Sequence, residues 1–143
     1  MAITQAMATS FKVQLLNGTQ NFSANTFKLA LYTSSATLNE NTTAYSTSNE
    51  VPSTGNYSAG GNTLSVSVTP TNSGNVAYIS FTNTTWSNAT ITANGALIYN
   101  NSNANAAVAV LSFGGDKTST NGTFAVNFPT ADASSAIIRL TAS

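Results

Sequence analysis

A mainly β fold, an antiparallel β-sandwich or barrel-like domain with one short N-terminal α-helix, is what this sequence predicts, and three observations predict it. From residue 64 onward, short runs of alternating apolar and polar residues follow one another, parted by Gly/Asn/Ser clusters. Only the first segment carries an apolar period of four. The hydrophobic fraction of 41% is ordinary for a folded chain, whereas 6% charged residues stands against about a quarter in most soluble domains. Folding is therefore expected, with Ser, Thr and Asn supplying the solvation that charges usually supply. A length of 143 residues suits one domain, residues 1–143, with a helical segment at 1–22 and a β-sandwich at 23–143.

Each element follows from local pattern. Ile3, Met7, Phe11 and Leu15 recur every four residues between Thr4, an expected N-cap, and the Asn17-Gly18 stop. Lys12 is the single charge of that stretch, so the helix is expected to pack its stripe on a sheet. After Phe22 the period becomes two: Phe27, Leu29 and Leu31 alternate with Lys28, Ala30 and Tyr32, a strand with one strongly apolar face. Residues 33–62 lose periodicity, apart from extended pieces at 43–45 and 50–51, and read as a long excursion of the kind that binds something or is ordered by a partner.

Strands are then expected at 64–68, 76–82, 95–99, 106–113, 122–128 and 136–141. Asn72-Ser73-Gly74, Asn94-Gly95, Gly114-Gly115-Asp116 and Asn121-Gly122 read as the turns between them. Ile137 and Ile138 are adjacent and so point to opposite faces, which puts the last strand between two apolar environments, centrally in the fold or against a neighbouring subunit.

The chemical inventory is narrow. With no His and no Cys, Ser-His-Asp and Cys-His catalysis are impossible, and zinc loses its preferred ligands. Four acids remain, Glu40, Glu50, Asp116 and Asp132. A Glu40/Glu50 glycosidase pair is conceivable, but both glutamates otherwise read as solvated loop charges. The run Gly114-Gly115-Asp116-Lys117-Thr118-Ser119 departs from a phosphate loop, with Asp116 before the Lys and Leu111 at the place of the first Gly. It reads instead as a hairpin loop between strands 106–113 and 122–128, with Asp116 and Lys117 at its exposed tip. No cofactor is implied.

Four scattered cations and zero formal net charge disfavour nucleic acid, and no window approaches the roughly 18 apolar residues of a membrane span. What remains is contact. Phe11 on the helix, Tyr45 in the excursion, Trp86 between strands, and Asp116 with Lys117 are the candidate partner contacts. A Trp beside strands also serves as a core anchor, and a stacking platform for a sugar is the sharper reading of Trp86.

Several segments taken in order carry a resemblance. They are Phe27-Lys28-Leu29-Ala30-Leu31-Tyr32-Thr33-Ser34-Ser35-Ala36-Thr37-Leu38, Thr85-Trp86-Ser87-Asn88-Ala89-Thr90-Ile91-Thr92, Gly95-Ala96-Leu97-Ile98-Tyr99-Asn100, Ala107-Val108-Ala109-Val110-Leu111, Phe113-Gly114-Gly115-Asp116-Lys117-Thr118-Ser119 and Phe128-Pro129-Thr130-Ala131-Asp132-Ala133. Together they resemble a group of small virion proteins encoded by tailed bacteriophages, over nearly the whole chain. Asn94 stands where that group leads one to expect a basic residue. The resemblance implies a non-enzymatic component of the phage particle, made in the host cytoplasm. The preferred role is a capsid decoration (cement) protein, whose partners are the major capsid protein, identical copies of itself, or both. The alternatives are a tail tube, tail tip or receptor-binding knob, the last with a host glycan as partner. A carbohydrate-binding module or a glycosidase stands behind these.

Overall fold

The computed structural model describes residues 2–141; Met1, Ala142 and Ser143, which the one-domain reading includes, lie outside the described residues. The fold is mainly β, with two antiparallel sheets and one short helix. The larger sheet has the order β1-β7-β6-β2-β3, from Ala6–Met7 (β1), Ala106–Val126 (β7), Thr84–Asn100 (β6), Phe27–Tyr32 (β2) and Asn62–Leu64 (β3). The smaller has the order β4-β5-β8, from Val66–Ser73, Val76–Phe81 and Ile138–Leu140. The helix α1 spans Thr9–Leu16, and no helix among the described residues is long and apolar enough to cross a membrane.

The two sheets share one apolar core. Phe27 of β2 meets Phe81 of β5 at 6.0 Å between ring centroids, and Phe22 stacks on Phe27 at 4.6 Å. Phe11, fully buried on α1, closes that cluster edge-on to Phe22 at 5.9 Å. The expected strand at 64–68 is divided between the sheets: β3 ends at Leu64, β4 begins at Val66, and Ser65 between them accepts a hydrogen bond from the Thr82 amide at 2.8 Å. One short segment thus turns the corner of the sandwich.

The helix is shorter than its apolar period suggested. Thr4 is not its N-cap: the Thr4 amide donates to the Leu38 carbonyl at 2.9 Å, Ile3 bridges Leu38, and Ala6 and Met7 pair with Val110 and Ala109 of β7. Ile3 and Met7 turn inward as expected, but on extended backbone. A waiting sheet edge offers those residues backbone partners that a free helix end lacks.

The largest departure concerns the turns. Asn94-Gly95 does not separate strands but lies inside β6, and both Gly114-Gly115-Asp116 and Asn121-Gly122 lie inside β7. β6 and β7 form one long hairpin paired from Thr84–Val126 to Asn100–Ala106, with the reversal at residues 101–105. The conformations those clusters favour are present, used as bulges. Gly114, Gly115 and Asn121 have φ of 74°, 150° and 48°, and between the Ala93–Lys117 and Gly95–Ser112 pairs β6 advances two residues while β7 advances five. Asp116 and Lys117 therefore sit at a bulge in mid-strand, not at a hairpin tip.

The excursion keeps its irregular character and is ordered. Its expected extended pieces appear as single bridges, Ala44 to Ala106 and Glu50 to Tyr32, and the Val51 amide donates to the Leu31 carbonyl at 2.9 Å. It covers one face of β2 and β6, so β2 is buried on both faces rather than one: Ala30 and Tyr32 are as inaccessible as Leu29 and Leu31.

Candidate interaction surface

The most concentrated polar chemistry lies under the excursion. Glu50, read from sequence as a solvated charge, is buried at 9% exposure. Its Oε1 accepts the Tyr57 hydroxyl at 2.6 Å and the Gly60 amide at 2.7 Å, and its Oε2 accepts the Tyr45 hydroxyl at 2.7 Å. Tyr57 Oη in turn accepts the Leu31 amide at 2.9 Å, and the Tyr99 hydroxyl donates to the Gly60 carbonyl at 2.7 Å. The Tyr45 ring stacks on Tyr99 at 4.6 Å, and the Tyr32 hydroxyl donates to the Ser46 carbonyl at 2.6 Å.

Burial withdraws water from these phenols, and the negative charge of Glu50 further disfavours phenolate. Both causes raise the pKa of Tyr32, Tyr45 and Tyr57 above its ordinary value and push that of Tyr99 up to about 12. A carboxylate whose two oxygens hold three donors fastens the excursion onto the sheet. Its placement five residues after one Tyr and seven before another was visible in the sequence, but nothing local showed that both rings would turn back to it.

The other acids stand apart from it. Glu40 is exposed, Asp116 accepts the Asn94 side-chain amide at 2.9 Å, and Asp132 Oδ1 accepts the Ser134 and Ser135 amides at 2.8 and 2.7 Å. Asn94 thus meets Asp116 as a neutral donor at the place where a basic residue was expected. No two of the four carboxylates share a hydrogen-bond partner, and among the described residues no three Asp or Glu gather as a metal would need.

The five candidate contacts divide. Phe11 and Trp86 are core residues and present no contact surface: Phe11 is fully buried, and Trp86, 5% exposed, packs between Tyr57 at 5.7 Å and Phe124 at 6.2 Å. Tyr45 is half-buried and its hydroxyl is committed to Glu50. Asp116 and Lys117 are exposed; Asp116 borders a cleft with Thr33, Ser34, Thr54, Thr90 and Thr92. Neighbouring hydroxyls on the open face of the long hairpin pair across strands, Thr92 with Thr118 at 3.1 Å.

Sequence reasoning missed the apolar surface. Val13, Leu16 and Leu140 are exposed, Leu16 to 90%. Beside them a groove of about 310 Å³ runs between α1 and the smaller sheet, lined by Leu15, Phe22, Tyr78, Ile79, Ile138 and Leu140 among others. Val13 and Leu16 lie off the four-residue stripe on which the helix was read, which was the available signal. Comparison with known protein families, with curated proteins and with solved structures returns no match for this chain.

Proposed function

We propose that this chain is a non-enzymatic structural protein of a tailed-bacteriophage particle, a capsid decoration protein that binds the assembled head and stabilises it. The observation that carries the reading is the division of labour among polar groups. The buried carboxylate is consumed in fastening the chain's own excursion, while the outer surface offers hydroxyls, amides and exposed apolar side chains. Such a surface makes contacts without the desolvation cost of burying ions. The resemblance of the segments from residue 27 to residue 133 to small phage virion proteins supports the same reading. The mechanism is mass action: a protein that binds the lattice and not its separated subunits stabilises the assembled state, by about 2.7 kcal/mol per site at a hundredfold excess over Kd.

The test is to separate heads from tails of purified particles and quantify this polypeptide in each. Many copies on heads, and heads that break at lower temperature when it is stripped, are expected; enrichment with tails refutes the decoration role. One observation favours the tail reading, the cleft where Thr33, Thr54, Thr90, Thr92 and Asp116 surround Val51 and Pro52, since hydroxyls and a carboxylate beside an apolar floor suit a glycan. Saccharide binding lost in Asp116→Ala would support it.

A further inference from the structure

We propose that the free edge of β8 takes up an extended segment of the partner protein, four residues long at the contact and patterned apolar, acidic, apolar, apolar; the proposal rests on the particle-binding reading and names the surface that makes the contact. β8 is the outermost strand of the smaller sheet and pairs with β5 through Ile79–Ile138, Tyr78–Arg139 and Ala77–Leu140. Among the described residues nothing pairs with its other side. The last strand is therefore an edge strand and not central in the sheet, and its adjacent isoleucines both pack within the chain, Ile138 in the core and Ile137 partly buried against it.

Each side of that edge carries a groove, an apolar one on the side of Ile138 and Leu140 and one of mixed polarity, with Gln5, Ser112 and Asn127 in its lining, on the side of Ile137. Ile138 and Leu140 line the one of about 310 Å³ against Leu15, Phe22 and Ile79. Ile137 lines a second, of about 260 Å³, against Leu111, Phe113 and Phe128. An extended chain sends successive side chains to opposite faces, so one strand laid along β8 reaches both grooves, whereas a helix reaches one. Backbone bonds along the edge supply affinity and the grooves supply selection.

Charge selects the occupant. Arg139 is exposed between Ile138 and Leu140, and among the described residues no carboxylate lines either groove. The partner residue facing Arg139 is therefore acidic, and those facing Ile137, Ile138 and Leu140 are apolar. A second copy of this chain fits worse, because self-pairing of β8 about its middle residue sets Arg139 against Arg139.

The experiment titrates the isotope-labelled full chain with the capped peptide Thr-Val-Asp-Val-Ile-Thr and with its counterpart carrying Lys for Asp. The expected result is amide shifts and slowed exchange confined to β8 and the two grooves, with the Asp peptide preferred roughly fivefold and the preference reversed in Arg139→Glu. Leu140→Asp, at a site already 52% exposed, keeps the fold and weakens binding at least about tenfold. Perturbations elsewhere, equal affinities, or a preference unchanged in Arg139→Glu overturn the proposal; so does concentration-dependent dimerisation of the free chain through β8. On purified heads the two ideas separate. Wild type and Leu140→Asp binding equally well overturns this surface and leaves the decoration role standing, whereas no binding of wild type overturns that role and with it the identity of the partner.

Discussion

Tyr57→Phe removes a single oxygen and tests whether Glu50 holds the excursion. That oxygen has two roles: its proton goes to Glu50 Oε1 at 2.6 Å, and its lone pair receives the Leu31 amide at 2.9 Å. Loss of a hydrogen bond to a charged group costs about 1.5–3 kcal/mol, and an orphaned buried amide costs a further 1–3 kcal/mol. The Gly60 amide and the Tyr45 hydroxyl still hold the carboxylate, so the two costs are not fully additive, and a net loss of about 3 kcal/mol is expected. Against a typical total of 5–15 kcal/mol the variant still folds.

Tyr45→Phe is the control. Its hydroxyl makes one bond to the same carboxylate from a half-buried position where water can replace it, so about 1 kcal/mol is expected. Glu50→Gln places its amide oxygen where Oε1 receives two donors and its NH₂ toward Tyr45 Oη, keeping the geometry while giving up the charge. Its cost therefore falls below that of Glu50→Ala, which strands all three donors. Urea unfolding with linear extrapolation measures each, and the Tyr57→Phe/Glu50→Ala cycle measures their coupling. A Tyr57→Phe cost no greater than that of Tyr45→Phe, or a coupling of zero, would refute the fastening role.

Three further outcomes follow from the same structure. Tyr32, Tyr45, Tyr57 and Tyr99 hold their protons more tightly folded than unfolded, so the native state binds more protons above pH 10; the stability they contribute is full below pH 10 and lost as pH rises through the folded values, about 12 at Tyr99. Phenolate absorbance should rise together with loss of structure on alkaline titration, and gradual ionisation of all four in the folded protein would contradict this. Gly61→Ala, at φ 71° with its Cβ directed into the Leu29 carbonyl, should cost more than 3 kcal/mol or prevent folding, whereas Gly74→Ala, at φ 57° in open space, should cost roughly 1 kcal/mol in thermal or urea unfolding. Trp86→Ala should lower stability by about 3–5 kcal/mol and leave partner affinity unchanged where the variant is folded, because the indole is a core residue.

The sequence made strand character legible wherever alternation was strong, as at Phe27–Tyr32 and Val76–Phe81, and it made left-handed backbone legible wherever Asn or Gly clustered. It did not show what that backbone was for. A positive φ serves a two-residue turn and a β-bulge equally, and the choice depends on whether a partner strand continues past it. Gly95 illustrates the ambiguity: a Cβ there would lie 2.5 Å from the Leu111 carbonyl oxygen and 2.7 Å from Ile3 Cγ2, so its small size serves close packing inside β6 and not a turn. The true reversal, Asn101-Ser102-Asn103-Ala104-Asn105, is an Asn cluster as well, with Ala104 and Asn105 at φ 51° and 55°, and nothing local sets it apart from the clusters that became bulges. Glu50 escaped for a related reason. Its donors include a backbone amide ten residues away and a tyrosine whose ring is placed by Trp86, and neither is encoded next to it.

Fastening by Glu50 also moves the expected place of contact. A thirty-residue excursion ordered only by a partner would charge the complex with its ordering entropy, roughly 1–2 kcal/mol for each residue fixed. Here that cost is met within the fold by Glu50 and the tyrosines around it, so the excursion enters any complex already shaped. Its one buried carboxylate and the hydroxyls of Tyr32, Tyr45 and Tyr57 are committed to the chain itself, which leaves exposed hydroxyls and amides as its means of recognition. The unsatisfied features among the described residues lie elsewhere: an unpaired strand edge at β8, an apolar groove beside it, and Leu16 almost wholly in solvent. Exposed apolar surface is costly to maintain in water and is relieved by association, so the free energy of binding is to be sought there before the excursion.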